Sequence, residues 1–170
     1  SERGRMAAEE LVQSLAGFMA RQPEVRLAYL FGSQARGAAN ALSDIDLAVW
    51  LDEHLTVAEQ GQVHVRLMGD LMSLLRREDI DLIILNRASL LLRHRVLRDG
   101  RLLFAADERE RARFAAVTLE RYLDHRYMYD ILEEAMAIRL REGRFGRGQI
   151  GDLRTLHQAR ALHRQTASSD

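Results

Sequence analysis

Two aspartates set one residue apart, Asp44 and Asp46, open an apolar run that reads Asp44-Ile45-Asp46-Leu47-Ala48-Val49. Alternate side chains of a strand leave opposite faces, so both carboxylates project from one face while Ile45 and Leu47 project from the other. Parallel carboxylates form a cradle of hard oxygens, the donors magnesium prefers while it keeps its remaining positions for water and substrate phosphates. Gly32 and Ser33 close an earlier apolar run, Val25-Arg26-Leu27-Ala28-Tyr29-Leu30-Phe31, and residues 34–43 separate them from the aspartates. At a strand-to-helix corner a glycine lets backbone approach a phosphate, the helix start offers unpaired amides, and a serine hydroxyl adds a donor. Together these residues point to metal-assisted transfer of a nucleotidyl group.

The rest of the chain must hold those two motifs side by side, and it alternates between two periodicities. Leu11, Leu15, Phe18 and Met19 recur at helical spacing over 7–20, and Pro23 ends the run. The pattern then predicts a strand over 25–31, a helical turn over 33–37 and a strand over 43–51. Thr56 caps an expected helix to about residue 76, with Val57, Val63, Leu67, Leu71, Leu74 and Leu75 near one face. A third strand is expected over 81–85. Ser89 starts a helix carrying Leu92 and Val96 that Gly100 closes, and a short fourth strand follows over 102–105. One long helical pattern fills 107–142 and stops at Gly143, before a glycine-rich linker over 143–151 and a further helix over 152–165. The expected organisation is a disordered terminus or expression remnant over 1–6, a catalytic core over 7–106, a long helix over 107–143 that packs on the core and on a partner, and a linker with tail helix over 144–170.

Gly32-Ser33, ten residues, then Asp44-Ile45-Asp46 resembles the signature of the DNA polymerase β-like nucleotidyltransferase superfamily, and within it the minimal nucleotidyltransferase (MNT) antitoxins of prokaryotic toxin–antitoxin pairs. The resemblance runs over about residues 10–140 and continues through Glu78-Asp79-Ile80-Asp81-Leu82-Ile83-Ile84-Leu85, Leu91-Leu92-Arg93 and Asp99-Gly100-Arg101-Leu102-Leu103-Phe104. It implies an α/β (α+β) fold: a small mixed sheet flanked by helices, followed by a long C-terminal helix. It implies a third carboxylate on a later strand, and the family places that acid directly before the apolar core of the strand, which favours Asp81. Asp79, two residues earlier and on the same face, competes for the role.

By the same resemblance, Asp44, Asp46 and Asp81 hold two magnesium ions, Gly32 and Ser33 seat the phosphates of ATP, and Arg36 reaches a phosphate oxygen. For Arg36 the competing reading is a surface ion pair with Asp44 or Glu53. The family's activity implies an antitoxin that transfers AMP from ATP to a hydroxyl, tyrosine being favoured, of a cognate HEPN ribonuclease toxin and silences it. Two other readings stand beside it: a stoichiometric binding antitoxin with an idle nucleotide site, and an aminoglycoside-type enzyme acting on a small molecule. The second would need walls around its acceptor that this chain has little length to build.

Composition bounds these expectations. A chain of 170 residues that is 47% hydrophobic can bury one core. It has no cysteine, so disulfides are excluded, and no eighteen-residue apolar stretch or leader pattern is read, so a cytoplasmic protein without membrane contact is expected. Formal net charge is zero, which advertises no affinity for nucleic acid. The chain has no lysine, so its 25 permanent cations are all arginine, and 17 of the 25 fall from Arg87 onward. The long helix carries Tyr122, Tyr127 and Tyr129 among Arg121, Arg126, Leu123, Met128, Ile131, Leu132 and Met136, a mixture suited to a protein partner or to self-association. Trp50 reads as core, and the six histidines show no metal-binding spacing.

Overall fold

The computed structural model describes residues 2–35 and 44–141. Expectations placed on Arg36, on the first residue of the strand expected over 43–51, and on the linker and tail helix beyond residue 141 fall outside the described residues.

Four strands, β1 (Val25–Phe31), β2 (Ile45–Leu51), β3 (Ile80–Ile84) and β4 (Arg101–Ala105), form one mixed sheet in the order β3-β2-β1-β4. β1 runs antiparallel to both of its neighbours, and β3 runs parallel to β2. A parallel pair needs a crossover, which α3 (Val57–Leu75) supplies. Thr56 and Glu59 start that helix reciprocally: the Glu59 amide donates to the Thr56 hydroxyl at 3.2 Å and the Thr56 amide to the Glu59 carboxylate at 2.7 Å. The expected cap at Thr56 is therefore where the helix begins.

Period-two alternation divides the sheet into two unlike faces. Ile45, Leu47, Val49, Leu51, Ile80, Leu82 and Ile84 pack against Leu15 and Met19 of α1 (Glu2–Ala20) and Val63, Leu67 and Leu71 of α3. The other face buries Leu27, Tyr29 and Ala48 against Leu85, Val96 of α4 (Leu90–Asp99) and Phe114 of α5 (Glu108–Arg141). Asp46 and Asp81 take the parity of this second face, at its open end. β3 is an edge strand, and His64 of α3 donates from Nε2 to its Leu82 carbonyl at 2.7 Å, which satisfies one edge acceptor.

Two boundaries differ from expectation. α1 runs back to Glu2, through residues read as disordered or foreign, because Glu2, Arg3, Arg5 and Met6 are good helix formers on an exposed stretch where no apolar stripe marks the turns. The chain divides into compact units at 1–119 and 120–170, inside α5 and not at residue 107. The first turns of α5 belong to the sheet unit: the Phe114 ring meets Trp50 at 4.8 Å between centroids, and Glu110 accepts from Arg26 Nη2 at 2.6 Å. In the second unit, Ile131, Ala135 and Ile138 form a separate buried cluster.

Candidate active site

β1 ends at Phe31 directly opposite Asp46 of β2, and the chain turns at once into α2 (Gly32–Ala35). Gly32 makes that corner with φ +70°, a left-handed conformation that strains any residue bearing a Cβ. The corner also presses against an acid. A Cβ on Gly32 would overlap Asp46 Oδ2 and sit 3.2 Å from its carboxyl carbon, so only glycine leaves the Asp46 carboxylate where it stands. Backbone and acid thus approach more closely than a side chain on residue 32 would allow, which ties the glycine to the second aspartate.

β3 brings in the other carboxylate. Its register with β2 is Ile45↔Ile80, Asp46↔Asp81, Leu47↔Leu82, so Asp46 and Asp81 face each other across neighbouring strands about 4.8 Å apart. Burial, and after it the charges of Asp81 and Asp44, holds the Asp46 carboxyl above its ordinary range. Asp46 is half-buried, whereas Asp81 and Asp44 are exposed.

Asp79 is engaged elsewhere. Its carboxylate forms an ion pair with Arg77, Nε to Oδ1 at 2.7 Å and Nη2 to Oδ2 closer still, and the hydrogen bond from Arg77 holds the Asp79 carboxyl below its usual range. Its carbonyl accepts from the Ile45 amide at 3.0 Å, tying the start of β3 to the start of β2. Arg77 was not singled out from the sequence. The available signal was its spacing, since residues two apart in an extended segment share a side. Asp79 raises the Arg77 guanidinium first through the hydrogen bond and then through charge, and Asp44 adds to the charge effect, so a fixed cation borders the acids.

The donor set is carboxylate oxygen throughout, the chemistry that hard divalent cations select. Burial and then two like charges, those of Asp81 and Asp44, act on Asp46, and Asp44, Asp46 and Asp81 are the carboxylates that could hold a hard divalent cation. Among the described residues no three His, Asp or Glu side chains stand close enough to enclose an ion as they are placed, so the acids would turn inward to do so. Arg36 lies outside the described residues, and Ser33 is placed by its backbone at the start of α2.

Among the described residues no helix is long and apolar enough to cross a membrane. The model of the family "Polymerase beta, Nucleotidyltransferase" matches residues 13–109, which span the sheet and both acidic strands. A protein adenylyltransferase MntA of Aphanizomenon flos-aquae is 32% identical over 56% of this chain and 67% of its own length. Its counterpart of the same name from Shewanella oneidensis is 32% identical over 59% of this chain and 68% of its own. A crystal structure of a toxin-antitoxin with AMP-PNP superposes with a TM-score of 0.54 at 26% identity, covering 76% of this chain and 98% of that one. With the glycine corner, the paired strand acids and this match over more than half its length, the chain belongs to the polymerase β nucleotidyltransferase family.

Proposed function

We propose that this protein is the antitoxin of a toxin–antitoxin pair and acts as a protein adenylyltransferase, moving AMP from ATP to a hydroxyl of its cognate HEPN toxin. The observation that carries the reading is Asp46 set opposite Asp81 beneath the Gly32 corner, in a chain similar to two adenylyltransferases named MntA and to a toxin-antitoxin structure with AMP-PNP. Magnesium held by Asp44, Asp46 and Asp81 would offset the charge that gathers on the leaving pyrophosphate. Gly32 lets the backbone come close to the outer phosphates, where the amides at the start of α2, Ser33 and Arg36 seat them. Asp81, exposed on the edge strand, takes the acceptor side: it orients the toxin hydroxyl and receives its proton as the oxygen attacks the α-phosphorus and the bond to the β-phosphate oxygen breaks. Asp46, half-buried against the corner, keeps the nucleotide side in place.

The acceptor arrives on another protein, and the second unit offers a surface for it. Leu123, Tyr127, Met128 and Leu132 are 54%, 47%, 60% and 44% exposed on one helix, beside Arg121 and Arg126. Aromatic, methionine and arginine side chains of this kind concentrate binding energy at protein interfaces.

The test is to co-express the chain with the protein encoded beside it and to weigh that neighbour intact by mass spectrometry. The expected result is one or more added AMP units with the wild-type chain and none with Asp46→Asn, while both forms fold. Undiminished modification by Asp46→Asn would refute the site, and a neighbour that is bound and neutralised without any mass change would favour a stoichiometric antitoxin.

A further inference from the structure

We infer that Asn86 is a positioning residue for the acidic pair: its side chain pins β3 to β2 in the register that sets Asp81 opposite Asp46. The inference rests on the reading of those two acids as the working carboxylates.

β3 has five residues and lies at the sheet edge, so of the described strands β2 is the one that pairs with it, and His64 of α3 holds only its Leu82 carbonyl. The apolar pattern forbids a slip of one residue, which would turn Ile80, Leu82 and Ile84 to the wrong face, but a slip of two keeps each of them on its own side. Such a slip would replace Asp81 by Asp79 opposite Asp46. It would also move Asp81 into the half-buried place of Ile83, a cost that acts beside the pin.

The backbone ladder is paired up to Val49↔Ile84 and then gives way to a 3-10 turn, Leu85–Arg87. Two residues further along each strand stand Leu51 and Asn86, the next pair on the same offset. There the side chain takes over from the backbone: Asn86 Oδ1 accepts from the Leu51 amide at 2.8 Å, and Asn86 Nδ2 donates to the Leu51 carbonyl at 2.9 Å. A carboxamide carries the same donor and acceptor as a peptide group, so it closes the ladder at its own spacing. The turn is itself held. Arg93 of α4 donates from Nε to the Leu85 carbonyl at 2.8 Å and from Nη2 to the Asn86 carbonyl at 2.9 Å, and its guanidinium lies 5.2 Å from the centre of the Trp50 ring on β2. Asn86 therefore reaches β2 from a turn that is anchored both to α4 and to β2. Any slip breaks both of its bonds.

The experiment compares wild type with Asn86→Leu, which keeps the volume and removes both bonds, and Asn86→Asp, which keeps the acceptor for the Leu51 amide. Three quantities are read: hydrogen exchange at the Leu51 amide, affinity for ATP, and the single-turnover rate of AMP transfer to the neighbour protein. For Asn86→Leu the expected result is faster Leu51 exchange, unchanged ATP affinity and a transfer rate lower by about a hundredfold, the cost typical of misplacing reacting groups by an ångström. Asn86→Asp is expected to fall between the two, and it carries the test if Asn86→Leu does not fold. An unchanged Leu51 exchange rate overturns the proposal, and so does an unchanged transfer rate. If the wild-type chain transfers no AMP, the enzyme reading fails by itself. The pin is then judged by Leu51 exchange and by a crystal structure of Asn86→Leu, in which the same strand register would overturn it.

Discussion

Asp46 carries a conflict between folding and use. Its carboxyl is raised above the ordinary range by burial first and by its acidic neighbours second, so the folded chain without a cation favours the protonated form more than the unfolded chain does. The resulting penalty is absent below the ordinary carboxylate value, grows as pH rises from there through the raised one, and is complete above it. Asp46→Asn is therefore expected to raise the Tm of the magnesium-free protein at pH 7 and to leave it unchanged at a pH below the carboxylate range, while it abolishes AMP transfer. A Tm that falls at neutral pH would contradict the electrostatic account. Legibility at this scale followed locality. Asp44, Asp46 and Gly32 were readable because their spacing along one stretch declares their faces and their corner. Spacing alone does not choose between Asp79 and Asp81, which share a face, and it is the family resemblance that favours Asp81. The structure pairs one with Asp46 and the other with Arg77, and that outcome depends on strand register and an ion pair, neither of which a residue pattern records.

Elements succeed or fail by how they are joined. The corner between β1 and α2 works only with a residue that tolerates φ +70° and has no Cβ to push Asp46 aside. Gly32→Ala is expected to lower stability by about 1–2 kcal/mol from the left-handed backbone alone, read as a lower denaturation midpoint, and to reduce transfer far more than that loss of folded protein explains. Stability lost with transfer intact would mean that the corner shapes the fold and not the site. The helix start at Thr56 was legible because a capping box is a local exchange of two hydrogen bonds. The start of α1 was not, since exposed turns follow propensity without an apolar stripe, and the break between units inside α5 was hidden because the helix pattern runs on unbroken where the packing of Phe114 ends.

Taken unit by unit, the molecule has a sheet unit and a second unit whose described helix shows Leu123, Tyr127, Met128 and Leu132 to solvent. If that helix seats the toxin, Met128→Glu is expected to weaken the complex by about tenfold or more, the range of an interface hot spot, in a pull-down or calorimetric titration with ATP binding unchanged. An unaffected complex would move the contact elsewhere. The sheet order carries one last consequence. Asp46 belongs to an interior strand and is half-buried, whereas Asp81 belongs to the outermost strand and is open to solvent. On the proposed reading the nucleotide takes an inner berth and the acceptor a doorway at the margin, so a bulky folded guest would need to present only one protruding hydroxyl, and the host would not need to unfold or gape to admit it.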